Sequence, residues 1–63
     1  MRITYDAHAN AVSIRFFAGE TATTEHVDED IAIDYTEDGR IAGIEILSAK
    51  RRIGDLEEFL TNA

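Results

Sequence analysis

Two apolar-rich runs separated by Thr36-Glu37-Asp38-Gly39-Arg40 constrain this chain more than any other feature. From Ile31 to Leu47 it reads I-A-I-D-Y-T-E-D-G-R-I-A-G-I-E-I-L. Asp-Gly between alternating hydrophobics is a strong hairpin signal, because glycine accepts a positive φ without a Cβ clash. The spacing predicts a β-hairpin. In its first arm, Ile31, Ile33 and Tyr35 are expected to face the core, with Ala32 and Asp34 facing out. In its second arm, Glu45 makes Ala42, Ile44 and Ile46 the core side and leaves Ile41 and Leu47 to be covered from elsewhere. Gly43 in mid-strand predicts a bulge or a close approach by another backbone.

The flanking sequence extends the sheet. Arg2 to Tyr5 alternates, with Ile3 and Tyr5 on one face, and Asp6 to Asn10 supplies turn chemistry. A second strand follows, with Val12, Ile14 and Phe16 on one side and Ala11, Ser13, Arg15 and Phe17 on the other. Ala18-Gly19-Glu20 turns the chain. Thr21 to Val27 is rich in β-branched residues but poor in large apolar ones, the pattern of an exposed edge strand. Asp28-Glu29-Asp30 marks a turn or a bulge. After Leu47 the period changes. Ser48 to Arg52 reads either as one helical turn capped by Ser48 or as a loop. Asp55 is a good N-cap with Glu58 three residues on, and Leu56, Phe59 and Leu60 make one apolar stripe. The expected fold is therefore α+β, mostly β. A four- to five-stranded antiparallel meander over residues 2–47 is followed by one short C-terminal helix at about 55–62, in a single domain spanning 1–63.

A domain this small buries only about 60% of the surface its unfolded chain exposes. The chain has no cysteine, so neither disulfides nor thiolate metal sites can supplement its core. One short helix covers only part of the sheet's face. Both arguments predict a homo-oligomer. No signal-peptide core follows Met1 and no apolar run reaches bilayer length, so the expectation is a cytoplasmic protein with no membrane contact.

Charge is unevenly placed. Six basic and thirteen acidic side chains give a net charge of −7. Between Glu20 and Asp38 stand Glu20, Glu25, Asp28, Glu29, Asp30, Asp34, Glu37 and Asp38, with no Lys or Arg. This argues against a nucleic-acid partner, whose affinity rests on cationic neutralisation of phosphates. It suits a basic protein partner, with solubility as the simpler explanation. Lys50-Arg51-Arg52 is short and lacks interleaved aromatics, so its expected role is opposite the acidic middle of the same chain or at a subunit contact.

Four segments carry a family resemblance. They are Met1-Arg2-Ile3-Thr4-Tyr5-Asp6, Asn10-Ala11-Val12-Ser13-Ile14-Arg15, Val27 to Tyr35 (V-D-E-D-I-A-I-D-Y) and Glu37 to Leu47 (E-D-G-R-I-A-G-I-E-I-L). In this order, over roughly residues 1 to 53, the chain resembles the bacterial domain-of-unknown-function family 2283. The family often has Pro after the first Tyr-Asp, where this chain has Ala7, which bears only on the shape of the first turn. The resemblance implies a small β-rich fold and carries over no catalytic residue. Some members look like small partners encoded beside toxin-like genes, which implies an antitoxin-type role.

No residue set makes a catalytic or cofactor motif. His8 and His26 have no spacing that brings them together with a carboxylate, and the acids around Asp28 lack the calcium-loop pattern. Ser13 and Ser48 have no His-Asp arrangement, and the glycines match no phosphate loop. The expectation is a non-enzymatic protein-interaction module, without metal or cofactor, that self-associates through its sheet. Phe17, Ile41, Leu47, Phe59 and Leu60 are the expected shared apolar surface. Asp28, Glu29 and Asp30 are the expected acidic face of an antitoxin-like protein toward a basic partner. The alternative is a small-molecule or metal-binding domain whose site forms between subunits.

Overall fold

A computed structural model describes residues 1–62; Ala63, the last residue of the expected 1–63 domain, lies outside the described residues. Five strands and two short helices follow one another: β1 (Arg2–Asp6), β2 (Ala11–Arg15), β3 (Thr23–Asp28), β4 (Ile31–Tyr35), β5 (Ile41–Ile46), α1 (Ala49–Arg52) and α2 (Leu56–Thr61). The strands form one antiparallel sheet. The mostly-β α+β class read from alternation therefore holds.

The strand order corrects the simple meander. Hairpins join β1 to β2, β3 to β4 and β4 to β5, but the order across the sheet is β1-β2-β5-β4-β3. The chain leaves β2, crosses to the far edge as β3, and returns through β4 to place β5 beside β2. The more apolar strands, β2, β4 and β5, thus fill the interior, while β3 is exposed at every residue. Sorting by hydrophobicity decides this order, since an edge strand keeps one side in water.

The β4–β5 hairpin closes as its Asp-Gly predicts. Thr36 N–H donates to Arg40 O (2.8 Å) and Gly39 N–H to Thr36 O (3.0 Å), enclosing Glu37-Asp38-Gly39. Gly39 has φ +86, the left-handed position that a three-residue hairpin loop requires. Two bulges interrupt the ladders. Val27 is the extra residue in β3, between the His26–Ala32 and Asp28–Ile31 pairs. Ala42 is the extra residue in β5, between Gly43–Asp34 and Ile41–Tyr35. The second lies beside Gly43, where an added Cβ would stand 2.6 Å from the Ile14 carbonyl oxygen. Both halves of the Gly43 expectation are met.

The burial of β4 corrects a second expectation. Ala32 and Asp34 are buried at 8% and 4% exposure instead of facing solvent, while Ile31, Ile33 and Tyr35 are half-buried. The cause is the strand order. Asp34 lies in a row running Arg15–Gly43–Asp34–Thr24 across four strands, and neighbours close over it from both sides. Strand β2 also ends at Arg15, so Phe16 and Phe17 begin the loop toward β3.

Residues 49–52 are helical, so two short helices follow the sheet rather than one. Ser48 does not cap α1: it is left-handed (φ 52) and makes no side-chain cap bond. Asn10, left-handed in the β1–β2 turn (φ 54), takes over that task. It accepts from Ala49 N–H at its carbonyl (2.9 Å) and from Lys50 N–H at Oδ1 (3.1 Å), satisfying the free amides of the helix start. Asp55 caps α2 as expected, accepting from Glu58 N–H at 3.0 Å. Among the described residues Val12 is the only large side chain fully buried; Ala32, Ala42 and Ala49 complete the buried apolar set.

Candidate interaction surfaces

Alternation gives the sheet two unlike faces. Ile3, Tyr5, Ile14, Ile33, Ile44 and Ile46 share one face and are all only half-buried. No residue of α2 is buried, so its stripe of Leu56, Phe59 and Leu60 is itself half-covered. The bulge at Ala42 sets Ile41 opposite Tyr35, shifting the alternation near the hairpin end.

The other face carries a polar cluster. Thr24 Oγ1 donates to Asp34 Oδ1 at 2.7 Å, and Arg15 Nη1 reaches Asp34 Oδ2 at 3.4 Å across the space that Gly43 leaves open. The same guanidinium donates to Thr21 Oγ1 (3.2 Å) and to Gly19 O (2.8 Å). Each Asp34 oxygen accepts one of these bonds, and through Arg15 the cluster ties the β2–β3 loop to the sheet. Alternation alone does not pair Arg15 with Asp34. The usable signal was an acid in mid-strand that the hairpin register sets opposite a glycine.

The acidic residues expected to meet a partner are divided by the fold. Asp30 accepts from Arg51 Nη2 (2.5 Å) and Arg52 Nε (3.0 Å), and Asp28 accepts from Arg52 Nη2 (2.8 Å). Ser48 Oγ adds a contact to Asp30 at 3.4 Å. The hydrogen bond to Asp30 is the main reason the Arg52 pKa is raised further. Asp28 and Asp30 thus hold α1 against the β3–β4 turn, the role expected for the basic cluster. Glu29 is exposed and makes no ion pair among the described residues.

The expected apolar surface is likewise divided. Phe17, Ile41 and Leu47 are exposed at 36%, 43% and 43%. Phe17 lies at the hairpin end of the sheet, where the Arg40 guanidinium stands 5.1 Å from its ring centroid, a cation–π distance. Leu47 lies at the opposite end, its N–H bonded to Asp30 O at 2.7 Å. Phe59 and Leu60 are on α2. A shallow cleft of about 380 Å³ beside Phe17 is lined by Met1, Arg2, Arg15 and Ala18. Among the described residues, no three His, Asp or Glu side chains converge to hold a metal ion. No helix there is long and apolar enough to cross a membrane.

Residues 2–50 match the model of a family described as protein of unknown function, DUF2283. The chain belongs to that family. The DUF2283 match takes in all five strands and ends inside α1, so the sheet is the family unit and α2 lies beyond the matched span. No curated protein and no solved structure matches the chain significantly.

Proposed function

We propose that this DUF2283 chain is a non-enzymatic protein-interaction module that assembles with further copies of itself through its sheet. The observation that carries this reading is the half-covered apolar face. Size supports it. A folded protein of 7.0 kDa is expected to expose about 4,000 Å², and this one exposes 4474 Å². Its radius of gyration is 11.8 Å, where a compact chain of this length has about 10.6 Å. One large buried side chain is little core for a fold without disulfide or metal support. Sedimentation equilibrium tests the reading: a reversible dimer or higher species at micromolar to millimolar concentration is expected, and a monomer throughout that range rejects it.

An antitoxin-type role is the finer reading, favoured by the acids that the chain does not use itself. Glu20, Glu25, Glu29 and Glu37 are exposed and make no ion pair among the described residues. They are the acids left for a basic partner, Glu25 on the β3 edge and Glu29 and Glu37 at opposite ends of β4. Capture from host lysate at low and high salt tests it: one basic protein, retained at low salt and shed at high salt, is expected. If that protein binds a variant with all four glutamates changed to Gln just as tightly, the acidic surface is not its site. A ligand site between subunits would instead show as thermal stabilisation by a metal or metabolite, since a ligand of the folded state raises its stability.

A further inference from the structure

We infer that β1 is the strand through which two copies meet, edge to edge and antiparallel, about a two-fold axis at Thr4. This rests on the self-association proposed above and names an edge contact within it, one that joins two sheets side by side and leaves their apolar faces open to a further contact. The sheet has two open edges, and they differ. Edge β3 carries the Val27 bulge and sets Glu25 opposite Ile33 on the apolar side, two devices that discourage strand addition. Edge β1 has neither. It runs in unbroken register with β2 from Arg2 to Asp6, alternating Ile3 and Tyr5 with polar residues.

The sequence of β1 is complementary to itself. A two-fold axis normal to the sheet keeps like faces together, so paired residues must share a face. Centred on Thr4, this pairing uses all five residues of the strand. Arg2 stands opposite the partner's Asp6, Ile3 opposite the partner's Tyr5, and Thr4 opposite its own copy. Each is a favourable cross-strand pair, and the first two occur twice. Centring on Ile3 or Tyr5 sets Arg2 opposite Thr4 or His8 and loses the charge match.

Within one copy these charges are poorly served. Arg2 stands opposite Arg15, a like-charge pair, and Arg15 is already taken by Asp34, Thr21 and Gly19. Arg2 makes no ion pair among the described residues. Asp6 spends Oδ1 on His8 N–H (3.0 Å) and Ala9 N–H (3.1 Å), leaving Oδ2 for the partner's Arg2. In a chain of net charge −7, this edge is where two copies attract instead of repel.

Thr4→Cys in the otherwise cysteine-free full chain reads the register directly. Facing residues in antiparallel strands lie about 4.5–5.5 Å apart at Cα, inside the disulfide window. Mild oxidation is expected to give a disulfide-linked dimer, while Glu25→Cys on β3 stays monomeric under the same conditions. Arg2→Glu and Asp6→Arg should each weaken dimerisation about tenfold. Mixing the two variants should restore a 1:1 heterodimer by native mass spectrometry, which only folded chains can form. If the wild type dimerises, yet Thr4→Cys does not cross-link and Arg2→Glu dimerises normally, the β1 contact is wrong and self-association stands. If the wild type is monomeric throughout, both fall.

Discussion

A methyl group at position 43 has nowhere to go: it would meet the Ile14 carbonyl oxygen at 2.6 Å and Arg15 Cδ at 3.2 Å. The first contact is backbone and cannot give way. Gly43→Ala is therefore expected to destabilise the fold by about 2 kcal/mol, read as a lower urea midpoint; an unchanged midpoint would show that β2 and β5 can move apart freely. At Asp34 the cost is polar. Asp34→Ala removes the acceptor of Thr24 and Arg15 from a buried position, and a loss of about 1–3 kcal/mol is expected on the same assay. Asp38, in the hairpin turn, reports pH. The Thr36 hydroxyl is the main cause holding its pKa below the ordinary 3.8, with Arg40 adding to it. A carboxyl depressed in the folded state adds stability that is complete above the unfolded value and is lost as pH falls through the folded one. Thr36→Val should move the Asp38 titration up toward 3.8, followed by carboxyl NMR shifts; no movement would remove the hydroxyl as the cause.

Among the elements, α1 is attached by few and identifiable bonds. Four residues do not make a stable helix, so α1 depends on Asn10 at its start and on Asp30 beneath its arginines. Asp30→Ala should lower the urea midpoint slightly and speed amide exchange at Ile53, whose N–H closes the helix on Ala49 O. Exchange as slow as in wild type would mean that the sheet holds α1 without its ion pairs. The elements also show what the chain discloses before it folds. Asp38-Gly39 gave the hairpin because a positive φ is a local demand. Asp55 and Glu58 gave α2 because a side-chain cap is made within one turn of chain. Thr21 to Val27 gave an edge strand from composition alone. Meander order failed because pairing β2 with β5 is a choice between distant segments, which alternation does not record. Alternation points Asp34 to solvent, because the row that buries it exists only once β5 lies between β2 and β4. Asn10 replaced Ser48 as the cap of α1 from forty residues away in the sequence. Phe17, Ile41 and Leu47 are exposed, and their separation to opposite ends of the sheet could be read only from the topology.

At the scale of the molecule, net charge and apolar surface oppose each other. Copies of charge −7 repel at long range, and salt screens that repulsion beyond about 10 Å at 0.1 M. Self-association should therefore tighten when salt is raised from about 10 to about 150 mM, as read by sedimentation, if repulsion between whole copies outweighs the two Arg2–Asp6 pairs at the β1 edge; weakening over that range would show that those pairs outweigh the repulsion. The strand order also governs how the chain reaches its structure in time. β3, β4 and β5 are joined by short hairpins and can zip together locally. The β1–β2 hairpin is the first to be synthesised, yet it cannot join the sheet until Ile41–Ile46 has been made, because Val12 and Ile14 pair with Ile46 and Ile44. On the ribosome, of the five strands those of the β1–β2 hairpin wait longest for their partners, and the central strand of the finished sheet is the last of the five to be translated.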